Sequence, residues 1–202
     1  MIVSHRHKYV FIHIPKTAGT SIQKALGLRT DAHGGWVGDQ IEMIGATKHH
    51  FSPDHIPSGY FVFTFVRNPW DRLLSYYMFR REPRNRHRLS IHPMERKITY
   101  LEWLHRLPEF SAYRRINPAF QIAISSQSDI IGDYPDFVGR FETLTQDCQT
   151  LLDRLGIENP GLENVNPTTS KQLSYQQYYD DECKSFIADR YRDDIDRFGF
   201  EF

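Results

Sequence analysis

The 202-residue sequence has few of the features that mark secreted or membrane-spanning proteins. Its two cysteines, Cys148 and Cys183, are too few for a disulfide framework or for a cysteine-rich zinc site. No run reaches the roughly 18 apolar residues of a membrane span, and the N-terminus lacks the apolar segment of a signal peptide. We therefore expect a reduced, cytoplasmic protein without a membrane span.

Net charge is also lacking, because 25 Lys and Arg balance 25 Asp and Glu. This neutrality argues against a bulk polyanion such as nucleic acid as the partner. The charges are nevertheless uneven: residues 1–100 hold 15 basic and 7 acidic residues, whereas residues 101–202 hold 10 and 18. The net charge is thus +8 in the first half and −8 in the second. This asymmetry predicts that the N-terminal half binds an anion.

Length and apolar content are sufficient for one hydrophobic core. A chain of 202 residues, 40% of them hydrophobic, predicts a single domain over residues 1–202. Alternating strands and helices predict an α/β fold with a central, mainly parallel sheet flanked by helices. The predicted strands are Tyr9–Ile14, Tyr60–Val66 (nearly all apolar and hence central) and Asp136–Phe141. The predicted helices are Ser21–Gly27, Trp70–Phe79, Lys97–Leu107, Pro118–Ser125, Thr143–Leu155 and a tail over 175–197, and residues 29–47 are interpreted as irregular.

A turn of small residues, Lys16–Ser21, lies between the first predicted strand and the first predicted helix. Such a strand–turn–helix unit gathers backbone N–H groups and the positive end of the helix dipole around one point, an arrangement that binds anions. Lys16 adds a mobile cation, and hydroxyl donors come from Thr17, Thr20 and Ser21. We expect Thr20 or Ser21 to cap the helix.

The order of residues in this turn differs from that of an ATP-binding loop. In the ATP version, G-x-x-x-x-G-K-[ST], the Lys follows the second Gly, whereas here Lys16 precedes Gly19. An NTPase also needs a magnesium-binding acid after an apolar strand, but Tyr60–Val66 is followed by Arg67, a fixed cation suited to phosphate. Ser75, about two helical turns further on, could donate to the same group. Two anion sites on adjacent strand ends are therefore predicted, for a ligand with two anionic ends.

Four segments carry a resemblance to a known family. Phe11–Ile22 (FIHIPKTAGTSI) resembles the 5′-phosphosulfate loop of sulfotransferases that use 3′-phosphoadenosine 5′-phosphosulfate (PAPS). Phe65–Tyr77 (FVRNPWDRLLSYY) is similar to the 3′-phosphate motif of the same family. Phe137–Leu144 (FVGRFETL) and the ending from Tyr178 to Phe200 resemble its bacterial and carbohydrate-modifying branch. The segments follow the family order and span nearly the whole chain.

The resemblance implies a P-loop-NTPase-like three-layer fold and transfer of a sulfuryl group from PAPS to a hydroxyl or amine, with no metal required. It also implies that Arg67 and Ser75 hold the 3′-phosphate. Lys16 would stabilise the oxygen on which charge builds as the product 3′-phosphoadenosine 5′-phosphate (PAP) departs. The residues that would hold the 5′-phosphosulfate are Lys16, Thr17, Ala18, Gly19, Thr20 and Ser21.

Transfer to a hydroxyl needs a general base, and the segment Lys48-His49-His50 lies between the two anion motifs. The unperturbed pKa of histidine, near 6.5, suits a proton acceptor at neutral pH. Members of the resembled branch often carry Lys-His in this position, so we assign the base to His49. His50 stays an alternative, as does Glu42, because some branches of the family use a glutamate.

Other features are interpreted as structural or left open. His13 lies on an apolar face of the first strand, which favours a packed, hydrogen-bonded core histidine. A zinc site of His49, His50 and His55 lacks well-placed carboxylates and thiols, so we predict no metal. The basic segment Arg80–Arg88 is either a solvent-exposed loop or a contact for an anionic acceptor or cofactor.

The acceptor implied by the resembled branch is a carbohydrate hydroxyl, bound by the regions 29–58 and 80–130. Two functions of other classes stay open. One is a P-loop-like small-molecule kinase or nucleotidase, against which the loop order and the missing acid argue. The other is a non-catalytic nucleotide-binding module, which would keep Lys16 and Arg67 but need no histidine.

Overall fold

A computed structural model describes residues 1–30, 36–37, 41–43, 52–82, 97–107, 118–159 and 173–202. The chain groups into two compact units. The first, the sheet unit, comprises Met1–Arg67 and Gln127–Asn166. The second, the helical unit, comprises Asn68–Ser126 and Pro167–Phe202. The prediction of one domain over residues 1–202 stays a prediction.

Strands and helices are interspersed along the described residues, and three of the strands are parallel neighbours, which confirms the predicted α/β class. The strands are β1 (Ile2–Ser4), β2 (Tyr9–Ile12), β3 (Arg29–Thr30), β4 (Trp36–Val37), β5 (Ile41–Met43), β6 (Phe61–Val66) and β7 (Phe137–Arg140). The helices are α1 (Gly19–Ala25), α2 (Pro69–Arg81), α3 (Tyr100–His105), α4 (Pro118–Ile124), α5 (Gln127–Ile131), α6 (Leu144–Leu155), α7 (Asp181–Arg190) and α8 (Arg192–Phe198). Short 3-10 turns lie at Pro53–His55 and Tyr175–Tyr178.

The sheet unit is organised on a mixed sheet that has five strands among the described residues, in the order β5-β1-β2-β6-β7. β2, β6 and β7 are parallel neighbours, while β1 runs antiparallel to both β2 and β5. β6 lies between two parallel partners, as its almost continuous apolar sequence predicts. This sheet bears out the fold class implied by the resemblance, although the three-layer arrangement as a whole stays a prediction.

Two helices cover one face of this sheet. Phe11 of β2 and Phe63 of β6 stack with ring centroids 5.0 Å apart, and they pack in one buried cluster with Ile22 of α1 and Leu151 of α6. Each fully buried side chain of this size contributes roughly 1.5–3 kcal/mol to stability. The apolar stripe of α6 therefore anchors the helix to the sheet, and α1 is held beside it directly after the Lys16 turn.

The helical unit has an aromatic core. Tyr77, Tyr100 and Trp103 pack with centroid separations of 5.1 to 6.2 Å. Asn68 caps α2: its side chain accepts a hydrogen bond from the Trp70 N–H at 3.1 Å and donates one to the backbone carbonyl of Glu201 at 2.7 Å. The start of α2 is thereby tied to the end of the chain.

Several expectations about the elements were wrong in detail. No strand was expected at β1, and the region of β3 to β5 was expected to be irregular, because these strands have only two or three residues. β1 is nonetheless fully buried, since it pairs on both edges. The predicted helical tail is divided into a 3-10 turn, α7 and α8.

Helix α2 is both longer and more deeply buried than its pattern predicts. It extends to Arg81, so the basic loop begins later than expected, and residues 83–88 of it lie outside the described residues. Arg80 is buried, with its guanidinium 5.1 Å from the ring centroid of Phe120 and a hydrogen bond to the hydroxyl of Tyr76 at 3.3 Å. Arg80 therefore contributes to the core of the helical unit and not to a solvent-exposed loop.

No helix within the described ranges has the length and apolar character needed to cross a membrane.

The two thiols provide a test of the packing in each unit. Burial raises the pKa of Cys148 to about 11 and, together with a hydrogen bond to Asp180, raises that of Cys183 to about 12. At pH 8 both thiols are protonated and inaccessible, so we expect neither to react with an excess of an aromatic disulfide reagent until the protein unfolds.

The single variants Cys148→Ala and Cys183→Ala each leave one reporter, in the sheet unit or in the helical unit. Labelling along a urea titration should then follow the unfolding of that unit. Reaction of either thiol at the rate of a free thiol in native buffer would contradict the packing described above.

Candidate active site

The turn that follows β2 has an unusual backbone conformation and is held by a hydrogen bond to the backbone. Lys16 and Ala18 adopt positive φ values of 72° and 65°, a left-handed conformation that is unfavourable for residues other than glycine. The Thr17 hydroxyl donates a hydrogen bond to the backbone carbonyl of Ile14 at 3.0 Å. Because this hydroxyl is committed within the turn, Thr17 can contribute to anion binding through its backbone N–H.

Helix α1 begins two residues earlier than predicted, at Gly19. The expected cap at Thr20 or Ser21 is therefore wrong: the N-cap is Ala18, and no side chain caps the helix. The N–H groups of Ser21 and Ile22 donate to the carbonyl of Ala18 at 2.8 and 3.1 Å. The N–H groups ahead of Ser21 have no acceptor within the helix, as at every helix start.

The remaining turn residues differ in exposure. Lys16 and Ala18 are partly exposed, Thr20 is exposed, and Ser21 is buried. Because α1 has only seven residues, its dipole is short, and Lys16 is the main source of positive charge at the turn. The turn thus presents backbone donors and one cation.

Gly19 is required by close contact with His13. A Cβ on Gly19 would lie 1.7 Å from Nε2 of His13, far below any permitted contact. His13 is buried, stacks on Phe11 with centroids 5.3 Å apart, and has the side-chain nitrogen of Gln23 at 3.2 Å from its Nδ1. The prediction that His13 is a packed, hydrogen-bonded core residue is confirmed. Its ring packs against Gly19 of the turn.

Arg67 lies beside this turn. It directly follows β6, and β6 runs parallel to β2, so Arg67 and Lys16 come from the same edge of the sheet. The Arg67 guanidinium donates through Nη1 to the backbone carbonyl of Lys16 at 3.0 Å. The adjacent strand ends predicted from the sequence are confirmed, whereas the binding roles of the two residues stay a prediction.

Two residues that hold Arg67 were not identified from the sequence. Phe141 places its ring centroid 3.8 Å from the Arg67 guanidinium carbon, a stacked cation–π contact. Gln127 uses its side-chain amide on the Arg67 backbone: Oε1 accepts from the N–H at 2.9 Å, and Nε2 donates to the carbonyl at 2.8 Å. Phe141 stood within a motif that carried the resemblance, whereas no pattern pointed to Gln127.

Ser75 belongs to the helical unit, in the middle of α2. It is 3% exposed, and its hydroxyl has no hydrogen-bond partner among the described residues. Buried hydroxyls are normally satisfied, so one without a partner marks a place where a ligand oxygen or a water is expected. The role of Ser75 as an anion-binding residue stays a prediction.

The candidate general bases are only partly within the described residues. His49 and His50 lie outside them. Glu42 lies in β5, and its carboxylate is 3.3 Å from Nε2 of His5, whose Nδ1 is 2.9 Å from the hydroxyl of Tyr60.

Tyr60 precedes the start of β6, whereas Arg67 follows its end, and six strand residues span roughly 20 Å. The Glu42 carboxylate therefore lies toward the opposite end of the sheet from the Lys16 turn, which disfavours Glu42 as the base.

The described ranges hold no group of three or more His, Cys, Asp or Glu side chains that could bind a metal ion. Within these ranges, His55 is exposed and has its Nδ1 3.0 Å from the hydroxyl of Ser52.

The contact between Gly19 and His13 can be tested by a double-mutant cycle. Gly19→Ala should lower the free energy of unfolding by about 1–3 kcal/mol, because the added methyl group must displace the imidazole. In a His13→Ala background the same substitution should cost little or even stabilise, since alanine is the better helix former. Urea denaturation of the four proteins gives the coupling energy, and additive effects would show that the contact is absent.

Comparison with known proteins identifies the family of this chain. An uncharacterized protein of Archaeoglobus fulgidus is 24% identical over 119 residues, which cover 59% of this chain and 85% of that protein. No solved structure matches the chain. The family model described as "Sulfotransferase family" matches residues 1–201, nearly the whole sequence. This chain therefore belongs to the sulfotransferase family, and membership implies PAPS-dependent sulfotransferase activity.

Proposed function

We propose that this protein transfers the sulfuryl group of PAPS to a hydroxyl on a carbohydrate acceptor. Family membership supports the reaction class. The single observation that carries the proposal is the hydrogen bond from Arg67 to the carbonyl of Lys16, which shows that these two cationic residues are neighbours. A donor molecule with phosphate groups at two separated positions matches two cationic residues set side by side.

The residues present fit such a donor. Lys16 and the backbone N–H groups of the turn suit the 5′-phosphosulfate, while the planar guanidinium of Arg67 suits the 3′-phosphate. Ser75, whose buried hydroxyl has no partner among the described residues of the helical unit, stays a predicted anion-binding residue. When bound, PAPS supplies an activated sulfuryl group whose bond to the 5′-phosphate is the one that breaks.

Lys16 has the central electrostatic role in this proposal. Negative charge builds on the 5′-phosphate oxygen as its bond to sulfur breaks, and a cation positioned in advance lowers the barrier. The backbone N–H groups of the turn add donors that need no reorientation during the reaction. The turn conformation is fixed by the hydrogen bonds of Thr17 and Ala18, so these donors are preorganised.

His49 is proposed to accept the proton of the acceptor hydroxyl as the acceptor oxygen forms its bond to sulfur. Its support is its place between the two anion motifs and the resemblance to the Lys-His of the carbohydrate branch. His50 is the alternative base, whereas Glu42 is disfavoured by its contact with His5.

This chemistry needs no magnesium ion on the protein. A sulfuryl group carries less charge than a terminal phosphoryl group, so a lysine with backbone donors is sufficient. The order of residues in the turn and Arg67 after β6, where a kinase or nucleotidase places an acid, distinguish the site from a magnesium-dependent one. We also propose a cytoplasmic location, as expected from the scarcity of cysteine.

Binding of the product PAP should raise the melting temperature in the presence of EDTA. At a PAP concentration about 100 times its Kd, the native state gains about 2.7 kcal/mol, which corresponds to a shift of about 5–10 °C for a chain of this size. Differential scanning fluorimetry with PAP and with ATP-Mg²⁺ provides the comparison. Stabilisation by ATP-Mg²⁺ alone would favour the kinase alternative and contradict the proposal.

Substitutions at Lys16 and His49 test the proposed catalytic roles by distinguishing loss of turnover from loss of PAP binding. Lys16→Met should lower kcat by about 10²–10³-fold, because it removes the cation that stabilises the leaving oxygen. His49→Ala should lower kcat by about 10²–10⁴-fold while PAP affinity stays within about twofold. Sulfuryl transfer to a panel of mono- and oligosaccharides, with PAP release as the readout, measures both effects.

His50→Ala is the matched control for His49→Ala. The assignment of the base to His49 predicts that this variant keeps most of its activity. If His50→Ala loses turnover and His49→Ala does not, the base is His50, and loss in neither variant would assign the base to another residue. A wild type that binds PAP but shows no turnover would favour the non-catalytic nucleotide-binding module.

A further inference from the structure

Gln127 occupies an unusual place at the end of β6. Its side chain is fully buried, yet it is not part of the apolar core. Both atoms of its amide are used on one residue, Arg67, through the hydrogen bonds of 2.9 and 2.8 Å to the backbone N–H and carbonyl. The Gln127 amide thus makes the two hydrogen bonds to Arg67 that the backbone of a neighbouring strand would otherwise make.

The sheet explains why Arg67 needs this support. Pairing between β2 and β6 ends at Ile12 and Thr64, whereas β6 continues to Val66. On its other edge, β6 pairs with β7 as far as Val66 and Arg140. Arg67 therefore lies beyond the strand pairing on both edges of β6. Without Gln127, its buried backbone N–H and carbonyl would lose the hydrogen bonds that the Gln127 amide makes to them.

A fixed backbone determines where the guanidinium of Arg67 can lie. Its side chain stacks on Phe141 at 3.8 Å and reaches the carbonyl of Lys16 at 3.0 Å. Lys16 in turn has the unfavourable positive φ of 72°, a conformation that persists only where surrounding contacts hold it. Gln127, Arg67 and Lys16 thus form one continuous chain of hydrogen bonds within the sheet unit.

We infer that Gln127 is a positioning residue for the anion site. It orients Arg67 so that the guanidinium can bind the 3′-phosphate of the donor while it holds the carbonyl of Lys16. This inference rests on the proposed function, because it assigns the 3′-phosphate to Arg67. It differs from a purely structural role, in which Gln127 would stabilise the fold without affecting which ligand is bound.

The two roles predict different effects on two related nucleotides. PAP and adenosine 5′-phosphate share the 5′-phosphate and the adenine, and only PAP has the 3′-phosphate. A displaced Arg67 weakens the binding of PAP in particular. The Lys16 turn should largely keep its shape for adenosine 5′-phosphate, because Thr17 and Ala18 hold it with their own hydrogen bonds.

Isothermal titration calorimetry on the whole chain, with both nucleotides in EDTA, tests the inference. In Gln127→Glu, an ionised carboxylate still accepts from the Arg67 N–H but cannot donate to its carbonyl. We expect the ratio of PAP affinity to adenosine 5′-phosphate affinity to fall about tenfold at pH 8, as for the loss of a hydrogen bond that positions a charged group.

Lowering the pH should restore the affinity ratio of the Gln127→Glu variant. A protonated glutamic acid has the donor and acceptor pattern of glutamine, so the ratio, expressed relative to that of the wild type, should recover as the pH is lowered from 8 toward 5.5. If Gln127→Glu does not fold, as judged by circular dichroism, Gln127→Met gives a neutral variant of similar length, for which the same loss without pH recovery is expected.

A second cycle shows whether Gln127 acts through Arg67. In an Arg67→Ala background, Gln127→Glu should leave the ratio of affinities unchanged, because the group that it positions is absent. The matched control is Thr64→Val, which removes another fully buried hydrogen bond of β6, the one of 2.8 Å to the carbonyl of Ile12. It should lower the melting temperature and leave the ratio unchanged.

The outcomes separate the inference from the proposed function. If the wild type binds PAP and the Gln127 variants keep the wild-type ratio, or lose both nucleotides equally, Gln127 is only structural and the inference is wrong. If the wild type does not bind PAP at all, the proposed function fails and the inference fails with it.

Discussion

The hydrogen bond between the Arg67 guanidinium and the carbonyl of Lys16 connects the fold of the sheet unit to its chemistry. It is possible because β2 and β6 are parallel neighbours, which brings the residues that follow them to one edge. The bond supports a turn that includes two left-handed residues other than glycine, and it places a planar cation beside the Lys16 turn. The strand order thus makes this contact possible, and the predicted donor specificity depends on it.

The sequence correctly predicted that Lys16 and Arg67 lie close together, because each follows a strand of the parallel part of the sheet. An apolar strand followed by Lys16, and another followed by Arg67, indicate two cations at adjacent strand ends once the sheet is parallel. What the pattern missed is the support for these residues. Gln127 lies 60 positions from Arg67 along the chain, and a buried glutamine that bonds to backbone leaves no periodic or compositional trace. Similarly, nothing in the composition indicates that the edge of His13 excludes a Cβ at Gly19.

Errors in the predicted elements have related physical causes. β1 and β5 are too short to show an alternating pattern, and they are stabilised by pairing on neighbouring strands. Arg80 was assigned to a basic loop because charge usually indicates exposure, whereas its long side chain packs on Phe120. Charge asymmetry between the two halves of the sequence was a better guide, because the described cations of the site, Lys16 and Arg67, both lie in the positively charged half.

The central claim is that Lys16 and Arg67 bind the two phosphates of one nucleotide, and ³¹P NMR of PAP bound to the protein tests it most directly. PAP has two resolved phosphorus signals, and the account predicts that both move on binding in the presence of EDTA. In Lys16→Met the 5′-phosphate signal should lose most of its shift while the 3′-phosphate signal keeps its own, and Arg67→Ala should show the reverse pattern. Binding that perturbs only one phosphorus signal, or that requires Mg²⁺, would contradict the account.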